Sequence, residues 1–359
     1  MFFNRNEKIF INGRFLSQAC TGVQRAAIEL LKAMDNLSKY YNYDIEVLIP
    51  PKCTLLNLKN INQRICGKFR KNAWEQLDLA LASKAGVLLN LGNTSPILCR
   101  NKFSYIHDVS YLVNPDFYTK PFVMWYKIVI PKTIHHSRLI FVNSEFTKNE
   151  LLKAFKVPQE RICIVPLGHE HVEIKESTNI LKKFQLKAQN YILAVGSMSK
   201  NKNVENIIKA FKKSRIANVK LVIVGTEMTN IFRNTNINHE GHVILTGYVT
   251  DQELFELYKN ARLFLFPSFY EGFGLPPLEA MKLGTPSVIS KTGALPTVFG
   301  ESVIYCDPYD PLNIASQVDM LWRNKELRHH LVKKGGDLLK EYTWHNAAVK
   351  LVYAVNNAL

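Results

Sequence analysis

The chain lacks a long hydrophobic run. Nothing in it approaches the roughly 18 consecutive apolar residues that a membrane-crossing helix needs, and the best candidate, FVMWYKIVIP, is short and broken by Lys127. The opening MFFNRNEKIF carries charges where the apolar core of a secretory leader would sit, so no signal peptide is expected. Cysteine is sparse and scattered: Cys20, Cys53, Cys66, Cys99, Cys163 and Cys306 contain no C-x-x-C pair. That argues against a structural zinc site or a disulfide framework and fits a reducing, cytoplasmic setting. Acidic residues are in deficit, with 30 Asp+Glu against 46 Lys+Arg and a formal charge of +16. The excess leans toward residues 1–175, where 24 Lys+Arg face 14 Asp+Glu. Such a balance favours an anionic partner, whether nucleic acid, acidic lipid or a phosphorylated small molecule, without choosing among them. Two absences narrow the choice. The basic stretch RICGKFRKNAW lacks aromatic interleaving and no helix-turn-helix or RNA-binding signature occurs, so no nucleic-acid partner is expected. The first strand runs into INGRFLSQACTG rather than G-x-G-x-x-G with a following acid, which removes a dinucleotide oxidoreductase.

What is present is the composition of a soluble globular protein, 47% apolar and 21% charged, in 359 residues, enough for two domains. Short β-branched runs alternate with helix-period segments. KIFING, DIEVLIP, GVLLNL, KFSYIHD, RLIFVNS and ICIVP read as strands in the first half; YILAVG, KLVIVG, HVILTG, RLFLFPS, PSVIS and SVIYCD do so in the second. NVENIIKAF sets Val204, Ile207, Ile208 and Phe211 on one helical face, and TDQELFELY opens with a Thr250/Glu253 capping box. Continuously apolar strands alternating with helices mean buried parallel sheets covered on both faces, an α/β fold of two Rossmann-like, doubly wound domains. The polar segment HEHVEIKESTNILKKFQLKAQN (169–190) reads as the connector. We place the domains at 1–172 and 173–340, followed by a closing helix at 341–359. Two such halves are expected to bind a ligand in the cleft they face, at strand C-termini and helix N-termini.

The stretch SFYEGFGLPPLEAMKLGTPSVIS (268–290) combines a strand end, a glycine loop and a proline-started helix with two carboxylates, Glu271 and Glu279. A proline at 276 or 277 suits the first helical turn and Gly284 suits its end. Amides near 274–278 would carry the partial positive charge that binds phosphate. Glu279, read into the first turn, is equally a dipole-favoured carboxylate capping its own helix, and Glu271 an ordinary loop carboxylate. Both together with Gly272, Gly274 and two prolines are far more specific.

This segment resembles the E-x7-E motif of retaining glycosyltransferases of family 4, which have the GT-B fold. TGVQRAAIELL, WEQ, YIHDVSYLVNPDFY, VNSEFTKNELLKAFKVPQERICIVPLG, AVGSMSKNKNVENIIKAF, LTGYVTDQEL and YTWHNAA are similar to further signatures of that family, in order and spacing. The resemblance spans essentially the whole chain and points to bacterial mannosyltransferase-like, polysaccharide- and O-antigen-assembly enzymes. It implies that the 341–359 helix crosses back onto the N-terminal domain. It implies donor-side roles for Gly22, Gly196, Ser197, Lys202, Gly225, Thr226, Tyr248, Val249, Glu271, Gly272, Phe273, Gly274, Leu275 and Glu279. Glu279 would accept from ribose hydroxyls, Glu271 would sit by the transferred sugar, and Lys202 would neutralise the diphosphate. Lys202 also reads as one solvated cation in KNKN. Position 201 is Asn where the family often has arginine, which leaves the second cation open between Lys200 and Lys209. His107 would reach the sugar as a hydrogen-bonding group, although IHD alone reads as a packed histidine partnered by Asp108. Arg25 and Asn93 are placed on the acceptor side, Arg25 equally as one half of a buried ion pair.

The resemblance implies a hexosyltransferase that retains anomeric configuration by front-face departure and attack, with alignment and charge stabilisation supplied by the protein. No D-x-D triplet occurs, so no metal and no cofactor are expected. The substrate would be a nucleotide-diphosphate sugar, GDP-mannose ahead of UDP-sugars. The acceptor would be a glycan, polyprenyl-diphosphate-linked, for a surface polysaccharide. A GT-B epimerase or phosphorylase is the alternative. The basic, aromatic stretches 59–74 and 118–138 predict peripheral contact with an anionic membrane, the inner face of the cytoplasmic membrane.

Overall fold

The computed structural model describes residues 7–38, 44–196, 199–225 and 242–359. Ser197 and Thr226 lie outside these described residues. The chain divides into two compact units, residues 1–168 with 342–359, and residues 169–341.

The first unit holds a seven-stranded sheet of β1 (Ile9–Asn12), β2 (Ile45–Ile49), β3 (Asn62–Ile65), β4 (Val87–Asn90), β5 (Lys102–Ile106), β6 (Ser137–Val142) and β7 (Ile162–Ile164). Their order is β3-β2-β1-β4-β5-β6-β7. The second holds β8 (Tyr191–Val195), β9 (Lys220–Val224), β10 (Val243–Gly247), β11 (Leu263–Phe266), β12 (Ser287–Ser290) and β13 (Ile304–Cys306), in the order β10-β9-β8-β11-β12-β13. All these pairings are parallel. The central strands β1, β4, β5, β11 and β12 are buried along their whole length; β1, β4 and β11 are accordingly almost wholly apolar, whereas β5 (KFSYI) buries Lys102 and Ser104 between its apolar residues. β3 has no such signature. It is a mostly exposed edge strand of sequence NQRI, held to β2 by backbone pairing and by Arg64, whose guanidinium grips the Glu46 carboxylate with two 3.0 Å bonds.

Strand order reverses between β1 and β4 in the first sheet and between β8 and β11 in the second. Chains leaving two such neighbours diverge, and side chains from both loops can meet in the gap. The helices follow from their caps and faces. Val204–Lys213 buries Val204, Ile207 and Ile208 into the core of the second unit, and Asp251–Asn260 begins with the reciprocal Thr250/Glu253 box. Trp344–Ala358 belongs to the first unit, where Ala347, Ala348, Leu351, Val352 and Val355 are buried and the helix packs on Gly22–Ser38 and β6.

The segment 169–190, polar enough to read as a connector, lies on the second unit. Its backbone is tied there by Lys175 N–H to Gln252 Oε1 (2.8 Å) and Thr178 N–H to Glu256 Oε2 (2.7 Å), and Ile180 is buried. Its polar residues serve as hydrogen-bonding groups, which hydrophobic periodicity does not register.

Lys102 is a polar residue with no exposed surface. Its ammonium donates to Pro96 O at 2.7 Å, and burial lowers its pKa to about 8. Because the folded state gives up this proton before the unfolded chain does, stability must rise with pH between about 8 and 10.5. Urea unfolding across that range is expected to show the rise in the native protein and its loss in Lys102→Met, with the variant roughly 1–3 kcal/mol more stable near neutral pH. Equal pH slopes for both proteins would contradict this account.

Candidate active site

The described site residues of the second unit gather at the carboxyl ends of its strands. β8 runs into Gly196, followed by the turn Lys200–Lys202; its sheet neighbour β11 runs into the 267–274 loop. The two loops are stitched together. Asn201 Nδ2 donates to Tyr270 O (2.8 Å), Asn201 Oδ1 accepts from Tyr270 N–H (3.1 Å), and Phe269 N–H donates to Asn201 O (3.0 Å). Asn203 adopts the left-handed conformation (φ 58°) and bonds Pro267 O (2.9 Å) and Pro308 O (2.7 Å). Asn201 is therefore a brace for the 269–271 loop. Of the two basic alternatives, Lys209 pairs with Glu205 on the surface of its own helix and Lys200 is exposed.

The brace delivers Lys202 to Glu271. Their Nζ–Oε1 distance is 2.6 Å, with side chains only 20% and 13% exposed, and the ammonium also lies 4.9 Å from the centre of the Phe266 ring. The stem of Lys202 passes over Gly196, where an added Cβ would stand 2.9 Å from Lys202 Cγ. On the other side the Glu271 backbone is pinned by Ala294 N–H to Glu271 O (2.9 Å) and crowded by Gly293, a residue that the strand and helix patterns left unmarked.

The helix Leu275–Lys282 follows directly. Gly274 (φ 102°) is its N-cap, and Pro276 and Pro277 occupy its second and third positions, where they contribute no N–H. The donors at this helix head are thus those up to Leu275; Leu278 N–H already turns back to Gly274 O at 3.3 Å. Gly284 (φ 74°) ends the helix as expected. Glu279 is the fifth helical residue, beyond the first turn, so the capping role does not apply to it. It is buried, with Oε1 3.0 Å from His171 Nε2 and Oε2 accepting from Tyr258 OH at 3.3 Å. Phe273 and Leu275 are buried, Gly225 lies at the end of β9, and past β10 Tyr248 is 78% exposed while Val249 is buried.

In the first unit Gly22 opens its helix with open space around the Cβ it lacks. Arg25 stands 3.7 Å from Glu29 of the same helix. Asn93 and His107 are brought together: Asn93 Oδ1 accepts the His107 backbone N–H at 2.7 Å. The His107 ring is buried, stacks on Tyr105 (4.4 Å) and donates from Nε2 to Leu91 O (2.9 Å); burial lowers its pKa, so the imidazole is neutral. Asp108 instead caps Ser110. The WEQ segment forms part of a π-helical stretch, Trp74–Leu79, at the switch point of this sheet. Glu75, 1% exposed, accepts from Asn12 (3.0 Å), Thr94 (3.0 Å), Arg14 (2.9 Å) and Gln76 (3.4 Å). Its acceptor capacity is full, which makes it a brace rather than a ligand group. Among the described residues no cluster of three or more His, Cys, Asp or Glu could hold a metal, and no helix is long and apolar enough to cross a membrane.

Residues 176–337 match the family model described as glycosyl transferases group 1. The chain is 30% identical over 259 residues to the O-antigen chain mannosyltransferase B of Escherichia coli, covering 69% of this chain and 68% of that protein. It is 24% identical over 362 residues to the O-antigen chain mannosyltransferase RfbU of Salmonella typhimurium, covering 94% and 96%. Its fold is that of GT-B enzymes; the sucrose-phosphate synthase of Thermosynechococcus elongatus superposes with a TM-score of 0.76 at 15% identity, over 98% of this chain and 99% of that one.

Gly293 carries a direct test of the pinned loop. It has φ 61°, and an added Cβ would lie 2.5 Å from Glu271 O. Gly293→Ala is expected to cost more than the ~1–2 kcal/mol of a left-handed non-glycine residue, read as a lowered Tm. Gly22→Ala, with nothing within 4 Å of its Cβ, is expected to leave Tm unchanged. Equal Tm values for both variants would show that the loop yields freely.

Proposed function

The chain belongs to the group 1 glycosyltransferases, and on that premise we propose that it transfers mannose or a related hexose from a nucleotide-diphosphate sugar to a glycan acceptor of a bacterial surface polysaccharide. The observation that carries the reading is the Lys202–Glu271 pair at the switch point of the second sheet, immediately before the helix that bears Glu279. A cation and a carboxylate in contact, mostly withdrawn from water, suit a substrate that is negative at its diphosphate and turns positive at its anomeric carbon during transfer. When the donor binds, Lys202 exchanges Glu271 for the diphosphate. The freed carboxylate then faces the sugar, where it holds a hydroxyl and stabilises the developing positive charge. Glu279 takes the ribose hydroxyls, and the amides of Phe273 to Leu275 take sugar hydroxyls or the distal phosphate.

The reaction proceeds with retention. The bond from the anomeric carbon to the diphosphate oxygen breaks with its electrons on the leaving oxygen, the acceptor hydroxyl oxygen forms the new bond to that carbon on the same face, and its proton passes to the leaving diphosphate. No cofactor takes part. Neutral His107 acts by hydrogen bonding at the transferred sugar, and Asn93 and Arg25 serve the acceptor side in the first unit. The relatives named as mannosyltransferases favour a mannose donor, and we place GDP-mannose ahead of UDP-sugars.

The acceptor is a polyprenyl-diphosphate-linked glycan met at the inner face of the cytoplasmic membrane. The helix Lys120–His136 exposes Lys120, Met124, Lys127 and Ile128 at helical spacing, and the basic stretch around Lys68, Arg70 and Lys71 exposes Ile65 and Phe69. Cations beside exposed apolar side chains suit an anionic lipid surface.

Two measurements test these readings. With GDP-mannose and a glycan acceptor, release of nucleoside diphosphate should fall about 100-fold or more in Lys202→Ala and in Glu271→Ala, with folding retained; full turnover by either variant refutes the site. The protein should float with phosphatidylglycerol vesicles at low salt, and Lys120→Glu/Lys127→Glu should weaken flotation several-fold. A native protein that stays at the bottom of the gradient refutes the membrane contact.

A further inference from the structure

His171 stands in the 169–179 segment, and no motif drew attention to it. Its side chain is 3% exposed, its Nε2 lies 3.0 Å from Glu279 Oε1, and its ring meets Phe255 nearly edge-on at 6.4 Å. The other carboxylate oxygen is held from the Asp251–Asn260 helix by Tyr258 OH at 3.3 Å. Burial and the neighbouring Glu279 raise the Tyr258 pKa far above its ordinary value, so this hydroxyl keeps its proton and remains a donor. A carboxylate offers about four lone-pair directions. One on each oxygen is taken, by two donors that approach from different elements, and one on each is left. In contrast with Glu75, Glu279 is oriented but not saturated.

A histidine that only fastened its segment to the unit would be redundant. That segment has independent ties through Lys175 to Gln252 and Thr178 to Glu256. Through its Nε2 His171 holds one oxygen of Glu279.

We infer that His171 is a positioning residue for the donor: by fixing Glu279 Oε1 opposite Tyr258 it aims the two remaining lone pairs at the vicinal 2′ and 3′ hydroxyls of the nucleotide's ribose. The inference rests on the proposed role of Glu279. Pre-orientation of a bidentate acceptor lets the paired hydroxyls bind without the cost of ordering a free carboxylate. It also gives the site a way to tell ribose from deoxyribose, because a hydroxyl-accepting group left unpaired in a buried site is costly.

Calorimetric titration with GDP and with 2′-deoxy-GDP tests this, with UDP and 2′-deoxy-UDP run alongside. The native protein should bind the ribonucleotide about 10-fold tighter than its deoxy analogue, one charge-assisted hydrogen bond. His171→Phe, which keeps a ring against Phe255 but no donor, should weaken the ribonucleotide several-fold and leave the deoxy analogue unchanged, so that discrimination collapses toward unity. His171→Gln, whose amide places an N–H near the Nε2 position, should restore it. Thermal melts of both variants check folding; if His171→Phe does not fold, discrimination in His171→Gln against His171→Ala decides in the same way. Native-like discrimination in a donor-less variant overturns the role of His171 while leaving Glu279 in place. A native protein that binds nucleotide without discriminating the 2′ hydroxyl, or binds none, overturns the ribose role of Glu279 itself and this inference with it.

Discussion

In a parallel sheet every strand ends at the same edge, and where the order reverses two neighbouring strands send their chains apart. The gap between β8 and β11 is such a place, and the second unit is arranged around keeping it open but rigid. Side chains do the holding. Asn201 and Asn203 bind the backbone of the β11 loop, Gly293 and Ala294 press on it from the β12 side, and Gly196 clears a path for the stem of Lys202. The Lys202–Glu271 contact is the outcome of these constraints and not their cause.

The two units treat buried carboxylates in opposite ways. Glu75 is surrounded by four donors and has nothing to spare, which stiffens the loops after β1 and β4. Glu279 is held by two donors and retains half its accepting capacity. The difference lies in the count and direction of donors, which one residue's burial does not reveal.

That difference also marks what a sequence discloses. Strands rich in apolar and β-branched residues announce themselves, and twelve of the thirteen among the described residues were legible for that reason. β3 was not, because an exposed edge strand of sequence NQRI has no apolar face to display. The resemblance grouped the loop glycines, Lys202 and the two glutamates, and the structure brings Lys202 and Glu271 into contact just before the helix of Glu279. The two prolines do lie in the first turn of the helix after Gly274, but that helix begins at Leu275, which carries Glu279 past the first turn into which it was read. The bracing by Asn201, the crowding by Gly293 and the grip of His171 left no trace in periodicity. Each is a contact between residues at least 22 positions apart, made by a polar side chain or by the absence of one.

One feature of chain order bears on how such a molecule is made. Residues 169–341 are inserted within the other unit, whose closing helix comes only at 344–358. During synthesis the inserted unit has all of its strands while the first still lacks the helix that covers Met34 and Leu89 beside Leu351 and Val352. Chain order therefore puts the residues of the half carrying Lys202, Glu271 and Glu279 ahead of the last helix of the earlier-made half. Until that helix is in place, the apolar face of the first half formed by residues such as Met34 and Leu89 has no cover from it, the kind of surface on which incomplete chains associate.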